Sequence, residues 1–227
     1  AFGVYLTWPE AVPPECAPGM VTFTFDDGYE TTYTKAFPVL EKYGYVGTVY
    51  VVPQMIGFDG YLSREQLHEL ADAGWEIGSH SMTHPDLTEI SLREAELELA
   101  TSKAWLEGAG FRVESFASPY GNYNNEVLQL IKKHYRNHRT SWPRGFNELP
   151  LEGEEQYNLR NVWTDSELTV AEVKEWVDES RQAQAWLILS FHKIGESGAV
   201  NWREEQLEEL VAYIADADYS YLSMEGL

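Results

Sequence analysis

A single cysteine, Cys16, leaves this 227-residue chain without an intrachain disulfide framework, so its stability has to come from packing, and the redox compartment cannot be read from it. Basic residues are scarce as well: 16 Lys and Arg stand against 37 Asp and Glu, a formal net charge of −21. A surface of that sign repels phosphate backbones and anionic headgroups, which argues against nucleic acid and charged membrane surfaces as partners. Also missing is any apolar run near the roughly 20 residues that a membrane-spanning helix needs. The first residues, Ala1-Phe2-Gly3, form no positively charged leader, which fits a cytosolic protein or a secreted one whose signal has been removed.

What is present is the material for a core. Hydrophobic residues make up 44% of the chain and aromatics 14%, enough for one α/β domain with a sizeable interior. Much of the acidic charge falls on helical stretches such as Glu94 to Glu98 and Glu204 to Glu209, as on a solvated face. Strand-like runs are expected at Val21–Phe25, Val46–Val52, Trp75–Ser79, Val113–Ser118, Asn137–Ser141, Leu159–Thr164 and Trp186–His192. Helical spacing between them covers Thr34–Tyr43, Arg64–Ala73, Ser91–Glu107, Asn125–His134, Val170–Ala185 and Arg203–Ala215, with Ser63 and Ser91 placed as N-caps. This β/α alternation predicts a parallel sheet covered by helices, doubly wound or closed into a barrel. Residues 1–20, with Pro9, Pro13, Pro14 and Pro18, read as an extended arm before a single domain over 21–227, and Pro143–Tyr157 reads as a long acidic loop.

The polar chemistry gathers where strand-like runs end. Val21-Thr22-Phe23-Thr24-Phe25 runs straight into Asp26-Asp27-Gly28. Two adjacent carboxylates repel, and a bound cation or a held proton relieves that repulsion. Trp75-Glu76-Ile77-Gly78 leads in the same way into Ser79-His80-Ser81-Met82-Thr83-His84, with two imidazoles four residues apart. One Asp and two His would make a three-ligand metal site with room for water, and the second Asp would be free to take a proton. His134 and His138 share the same spacing but sit among Lys132, Lys133, Arg136 and Arg139, a cationic setting read as structural. The buried-strand pattern Trp186 to Phe191 ends in His192, a candidate general acid, and Ser118-Pro119-Tyr120-Gly121 follows another strand-like run with an amide suited to a developing oxyanion. Active groups carried on the C-terminal ends of several strands favour a (β/α) barrel. The eight Trp and fourteen Tyr exceed what a core usually needs; Tyr29, Tyr123, Trp142 and Trp163 lie near these loops and suit stacking on sugar rings.

Taken in order, Thr24-Phe25-Asp26-Asp27-Gly28, His80 to His84, Ser118-Pro119-Tyr120-Gly121 and Leu189 to His192 resemble the motifs of the polysaccharide deacetylases, carbohydrate esterase family 4, from about Met20 to the C-terminus. The resemblance implies a distorted (β/α)7 barrel and metal-dependent removal of acetyl groups from an acetylated glycan such as chitin oligomers, peptidoglycan or xylan. It implies Asp26 as general base, and Asp27, His80 and His84 holding one divalent ion, zinc first with cobalt or nickel as alternatives. It implies His192 as general acid and the Tyr120 N–H as oxyanion donor, with Pro119 beside the substrate. An extracellular or cell-envelope location follows from that substrate class alone.

Three departures from the family pattern are visible. Ala117 stands where the third motif usually carries an Arg that orients the base aspartate, and Arg139 or Arg160 on neighbouring runs is expected to substitute. The fourth motif, an Asp followed shortly by Trp, has only Trp163-Thr164-Asp165 in the reverse order. Ser190 replaces the small apolar residue two before His192, so Leu189 or Trp163 is expected to line the acetyl pocket. An acid and a base working together predict a bell-shaped dependence of activity on pH. A hydrolase of small cyclic amides and a catalytically silent carbohydrate-binding barrel are the alternatives from other classes. Oligomeric state is not legible.

Overall fold

The computed structural model describes residues 19–195, 201–217, 219–221 and 224. The arm expected over 1–20 therefore lies, apart from its last two residues, outside the described residues. Seven strands form the main path of one parallel sheet: β1 (Met20–Phe25), β2 (Thr48–Val51), β3 (Glu76–Ser79), β4 (Ser115–Ala117), β5 (Asn137–Arg139), β6 (Val162–Trp163) and β7 (Trp186–Phe191), in the order β5-β4-β3-β2-β1-β7-β6. Lys193–Ile194 (β8) and Asn201–Trp202 (β9) pair separately, and Ser220–Tyr221 (β10) pairs with the start of β1. Arg139 also bridges to Leu159 ahead of β6, which brings the two edges of the curled sheet together. The result is a curled, half-barrel (β/α)7-like single domain, as the β/α alternation and the motif resemblance predict.

The residue alternation of β1 explains the layering. Val21, Phe23 and Phe25 belong to the main hydrophobic cluster, with Val49, Val51, Ile77, Phe116, Leu187, Leu189 and Phe191 from neighbouring strands. Helices cover that outer face: α1 (Phe37–Lys42), α2 (Arg64–Asp72), α3 (Leu92–Gly108), α4 (Asn125–His134), α5 (Val170–Gln182) and α6 (Glu204–Asp216). Leu67, Leu99, Ile131, Val177 and Leu210 are among the residues they bury in the same cluster. At roughly 1.5–3 kcal/mol for each fully buried large apolar side chain, this layer is the main source of stability. The opposite, concave face mixes a polar set with a small apolar cluster around Trp186 and Ile188; Thr22, Thr24, Glu76, Ser115, Asn161 and Ser190 are all buried there. Thr24 Oγ1 lies 2.8 Å from Ser190 Oγ, Ser115 Oγ donates to Glu76, and Trp186 Nε1 donates to Thr22 Oγ1 at 2.8 Å. These internal bonds offset part of the cost of burying polar groups beneath a charged mouth.

Local chemistry sets the element ends. Ser63 and Ser91 cap α2 and α3, each in a reciprocal capping box with Gln66 and Glu94 respectively. The helix expected over Thr34–Tyr43 is instead a π-helical turn, Thr32–Ala36, followed by α1. Pro38 has no N–H to give to the preceding turn, so a regular ladder cannot run through it. The sixth strand is shorter than the Leu159–Thr164 run, because Leu159 pairs towards β5 and only Val162–Trp163 pairs with β7. The acidic segment Pro143–Tyr157 is tied down: Asn147 and Trp186 exchange two backbone bonds at 2.8 Å, and Leu149 and Leu151 pack against the cluster of Leu159, Trp186, Ile188 and Met224.

Candidate active site

Asp26 and Asp27 leave β1 at its C-terminal end, where the Asp26 N–H still donates to the Phe191 carbonyl at 2.8 Å. Asp27 and Gly28 then adopt φ of 68° and 73°, a left-handed turn that Asp tolerates better than most side chains. The turn separates the two carboxylates, so they do different things. Asp26 points to Arg139, whose Nη2 donates to Oδ1 at 2.6 Å and to Oδ2 at 2.7 Å. Asp27 faces His80 and His84, with Oδ1 3.6 Å and 3.3 Å from their respective Nε2 atoms.

His80 follows β3, its N–H bound to the Val51 carbonyl at 2.9 Å, and its ring Nδ1 lies 2.8 Å from the Ala117 carbonyl. A carbonyl only accepts, so Nδ1 carries the proton and Nε2 turns a lone pair towards Asp27, the tautomer of a metal-binding imidazole. Ser81 and His84 have φ of 64° and 65°, and this doubled left-handed turn folds the second ring back onto the first, with centroids 4.8 Å apart. The ligand atoms of Asp27, His80 and His84 all lie within 4.8 Å of one another, and among the described residues no other such cluster of acids, histidines or cysteines occurs. Two neutral imidazoles and a carboxylate suit zinc or a similar divalent ion. Burial, opposed by the charges of Asp26 and Asp27, lowers the His80 pKa to about 4 and so keeps the ring unprotonated for a cation. Burial would raise the Asp27 carboxyl, yet the His84 hydrogen bond and the charges of His80, His192 and His84 outweigh it and hold Asp27 below the usual carboxylate range. Tyr29, stacked on Tyr61 at 5.1 Å, is raised by burial and then by the charge of Asp27.

The oxyanion candidate lies beside the histidine pair, on the turn that follows β4. Tyr120 has φ 59° and is exposed, its ring edge-on to His84 at 4.8 Å, while Pro119 is buried beneath the turn. Gly121 is required by space: a Cβ there would lie 2.7 Å from the Ser141 backbone nitrogen. His192 follows β7 close enough to Asp27 to bear on its ionisation, and its Nδ1 is buried without a hydrogen-bond partner among the described residues. The acid that the fourth motif would bring is engaged elsewhere: Asp165 accepts from Arg144 at 2.9 Å and from the N–H groups of Glu167 and Leu168.

The two arginine candidates separate clearly. Arg139 is 1% exposed and its register partner on β4 is Ala117, so its side chain starts one strand spacing, about 4.8 Å, from the position where the motif would put an Arg. Arg160 is exposed and packs by Gly145. The acetyl-pocket expectation needs a correction: Leu189 belongs to the outer, helix-covered core, because in a strand it faces away from its neighbour Ser190. Trp163, the register partner of Ser190 on β6, stands on the site side, edge-on to exposed Trp142 at 6.1 Å and beneath the Arg144 guanidinium at 4.6 Å. Sequence reasoning misses Asn161, whose signal is a polar residue two before Trp163 and so on the same face of the Leu159–Thr164 run.

Comparison with known proteins agrees with this geometry. The model of the family described as polysaccharide deacetylase matches residues 15–137, more than half of the chain. YxkH of Bacillus subtilis is 36% identical over 114 residues, covering 50% of this chain and 41% of that protein. The peptidoglycan-N-acetylglucosamine deacetylase PgdA of Listeria monocytogenes is 30% identical over 113 residues, covering 49% and 23%. The crystal structure of BC0361, a polysaccharide deacetylase from Bacillus cereus, superposes with a TM-score of 0.62 at 29% identity, over 69% of this chain and 50% of that one. The chain thus spans half or less of the length of each of these relatives. The matched residues run from before β1 into β5 and so include the paired aspartates, both clustered histidines and the Tyr120 turn, from which it follows that the chain belongs to the polysaccharide deacetylases, carbohydrate esterase family 4.

Proposed function

We propose that the chain is a metal-dependent hydrolase that removes acetyl groups from an acetylated glycan of the chitin, peptidoglycan or xylan type. The observation that carries this reading is the convergence of Asp27, His80 and His84 beside an Asp26 that is held separately by Arg139. A divalent ion, zinc by preference, held by Asp27, His80 and His84 would supply Lewis acidity to the acetyl carbonyl and to water.

Asp26 takes the proton of the attacking water, its carboxylate kept in one orientation by the Arg139 guanidinium. The Tyr120 N–H, presented by a left-handed backbone on the rim, donates to the oxygen on which charge develops. His192 delivers a proton to the departing sugar nitrogen or oxygen. Trp163 and exposed Trp142 give a sugar ring an aromatic face to rest on. A polymeric glycan as substrate points to action outside the cytoplasm or in the cell envelope.

Acetate release from N-acetylated chitin oligomers, peptidoglycan and acetylated xylan, by protein stripped of metal and then reloaded with zinc or cobalt, tests this reading. Release that returns with metal and is lost in Asp26→Asn supports it. Metal binding without release from any glycan contradicts it, and release from a small cyclic amide instead would name the alternative hydrolase.

A further inference from the structure

The contact between Arg139 and Asp26 is made by one nitrogen, Nη2, which reaches both carboxylate oxygens at 2.6 and 2.7 Å. A two-nitrogen fork fixes the plane of a guanidinium against a carboxylate; a single shared nitrogen leaves that plane free to swing. Nε of Arg139 is buried and makes no hydrogen bond among the described residues, so it does not supply the second anchor. The Tyr50 ring, 5.0 Å from the guanidinium carbon, sits under it but offers no directional bond.

The second anchor is Asn161, fully buried just before β6. Arginine has only donors, so the atom of Asn161 that faces it must be the amide oxygen. In that orientation Oδ1 accepts from Arg139 Nη1 at 2.7 Å and from the Ser190 hydroxyl, and the amide nitrogen donates to the Thr140 carbonyl at 3.1 Å. Thr24 Oγ1, 2.8 Å from Ser190 Oγ, closes the chain. Every member is buried: Thr24, Asn161, Ser190 and Thr140 are each at most 1% exposed. The two departures at Ala117 and Ser190 then have one explanation. The guanidinium stands on β5 instead of β4, and the hydroxyl at Ser190 belongs to the device that holds it there.

We infer that Asn161, backed by Ser190, is a positioning residue that fixes Arg139 and through it the orientation of the Asp26 carboxylate; the catalytic part of this inference rests on the function proposed above. Asn161→Ala should lower kcat by about 10- to 100-fold, the range expected when a reacting group is displaced by about an ångström, with KM and bound metal little changed. In an Arg139→Ala background the same substitution should bring no further loss, because Asn161 would have nothing left to hold. Losses that simply multiply would overturn the inference. Ser190→Ala, a gentler change, should show the same pattern at about 3- to 10-fold, and no effect on kcat there counts against it. A crystal structure of Asn161→Ala, or of Ser190→Ala should the first fail to fold, decides the positioning without any substrate. Nη2 drawn away from Asp26 supports the inference, and an unmoved guanidinium refutes it, even if no glycan proves to be a substrate.

Discussion

His80 and His84 are separated by three residues, and so are His134 and His138, yet the chain treats the pairs differently. The first pair leaves β3 on a loop whose backbone turns left-handed at Ser81 and again at His84, which brings the rings together against Asp27. The second pair straddles the end of α4 and the middle of β5, and the change from helix to strand sends the rings apart. His134 meets Glu96 on α3 at 2.8 Å, while His138 is buried between the Ser118 hydroxyl at 2.8 Å and the Tyr157 carbonyl at 2.9 Å. Equal spacing in sequence therefore gives a cluster that could hold a cation in one case and two separate structural contacts in the other. Backbone conformation between the residues, together with a carboxylate waiting opposite, makes the difference.

The comparison can be broken from the functional side first. His80→Ala or His84→Ala should weaken zinc affinity by more than about 100-fold, since loss of even a group that supports a ligand costs 10- to 100-fold. Acetate release should fall in step, and competition against a chelating dye measures the affinity. Retained affinity in both variants would remove the distinction between the pairs.

A smaller effect is expected at His138, and in stability. His138→Ala leaves the Ser118 hydroxyl without a buried partner and opens a cavity, which should cost about 2–4 kcal/mol in urea denaturation while zinc affinity stays near wild type. Burial, helped by Arg139 and opposed by the Tyr157 bond, holds the His138 pKa down to about 4 against an ordinary value of 6.5. Below pH 6.5 the unfolded chain therefore takes up a proton that the folded chain refuses until about pH 4. The contribution of His138 is complete above pH 6.5 and is lost as pH falls towards 4. The stability gap between wild type and His138→Ala, both metal-free, should narrow over that window, by roughly 3 kcal/mol at most. A gap that is constant or widens towards acid would show that His138 is not buried as the neutral ring. The smallest effect belongs to His134→Ala: its pairing with Glu96 is partly exposed, and about 1 kcal/mol or less should be lost, with metal affinity again unchanged.

Much of this was legible in the sequence because local chemistry governs it. The alternation Val21-Thr22-Phe23-Thr24-Phe25 announces a strand with one apolar and one polar face, and Asn125–His134 is helical over the full predicted span. Asp26-Asp27 and the His80 to His84 segment announce a candidate cation site, since each turn is made by its own few residues. What stayed hidden depends on register. That Arg139 lies beside Ala117 follows from the pairing of β4 with β5, and neither strand states its partner. Ser190 in the usual apolar position leaves Leu189 or Trp163 to line the acetyl pocket, but the period of two turns Leu189 to the helix layer. Asn161 carries no sign of its role on its own, because its meaning depends on a guanidinium from one strand and a hydroxyl from another meeting there.

The most direct test of the central claim, that one histidine pair holds a metal and the other does not, is an anomalous difference map at the zinc absorption edge from zinc-loaded crystals. The account predicts a strong peak within coordination distance of one Asp27 oxygen and Nε2 of both His80 and His84, and none beside His134 or His138. A peak at the second pair, or no peak at the first, would contradict it.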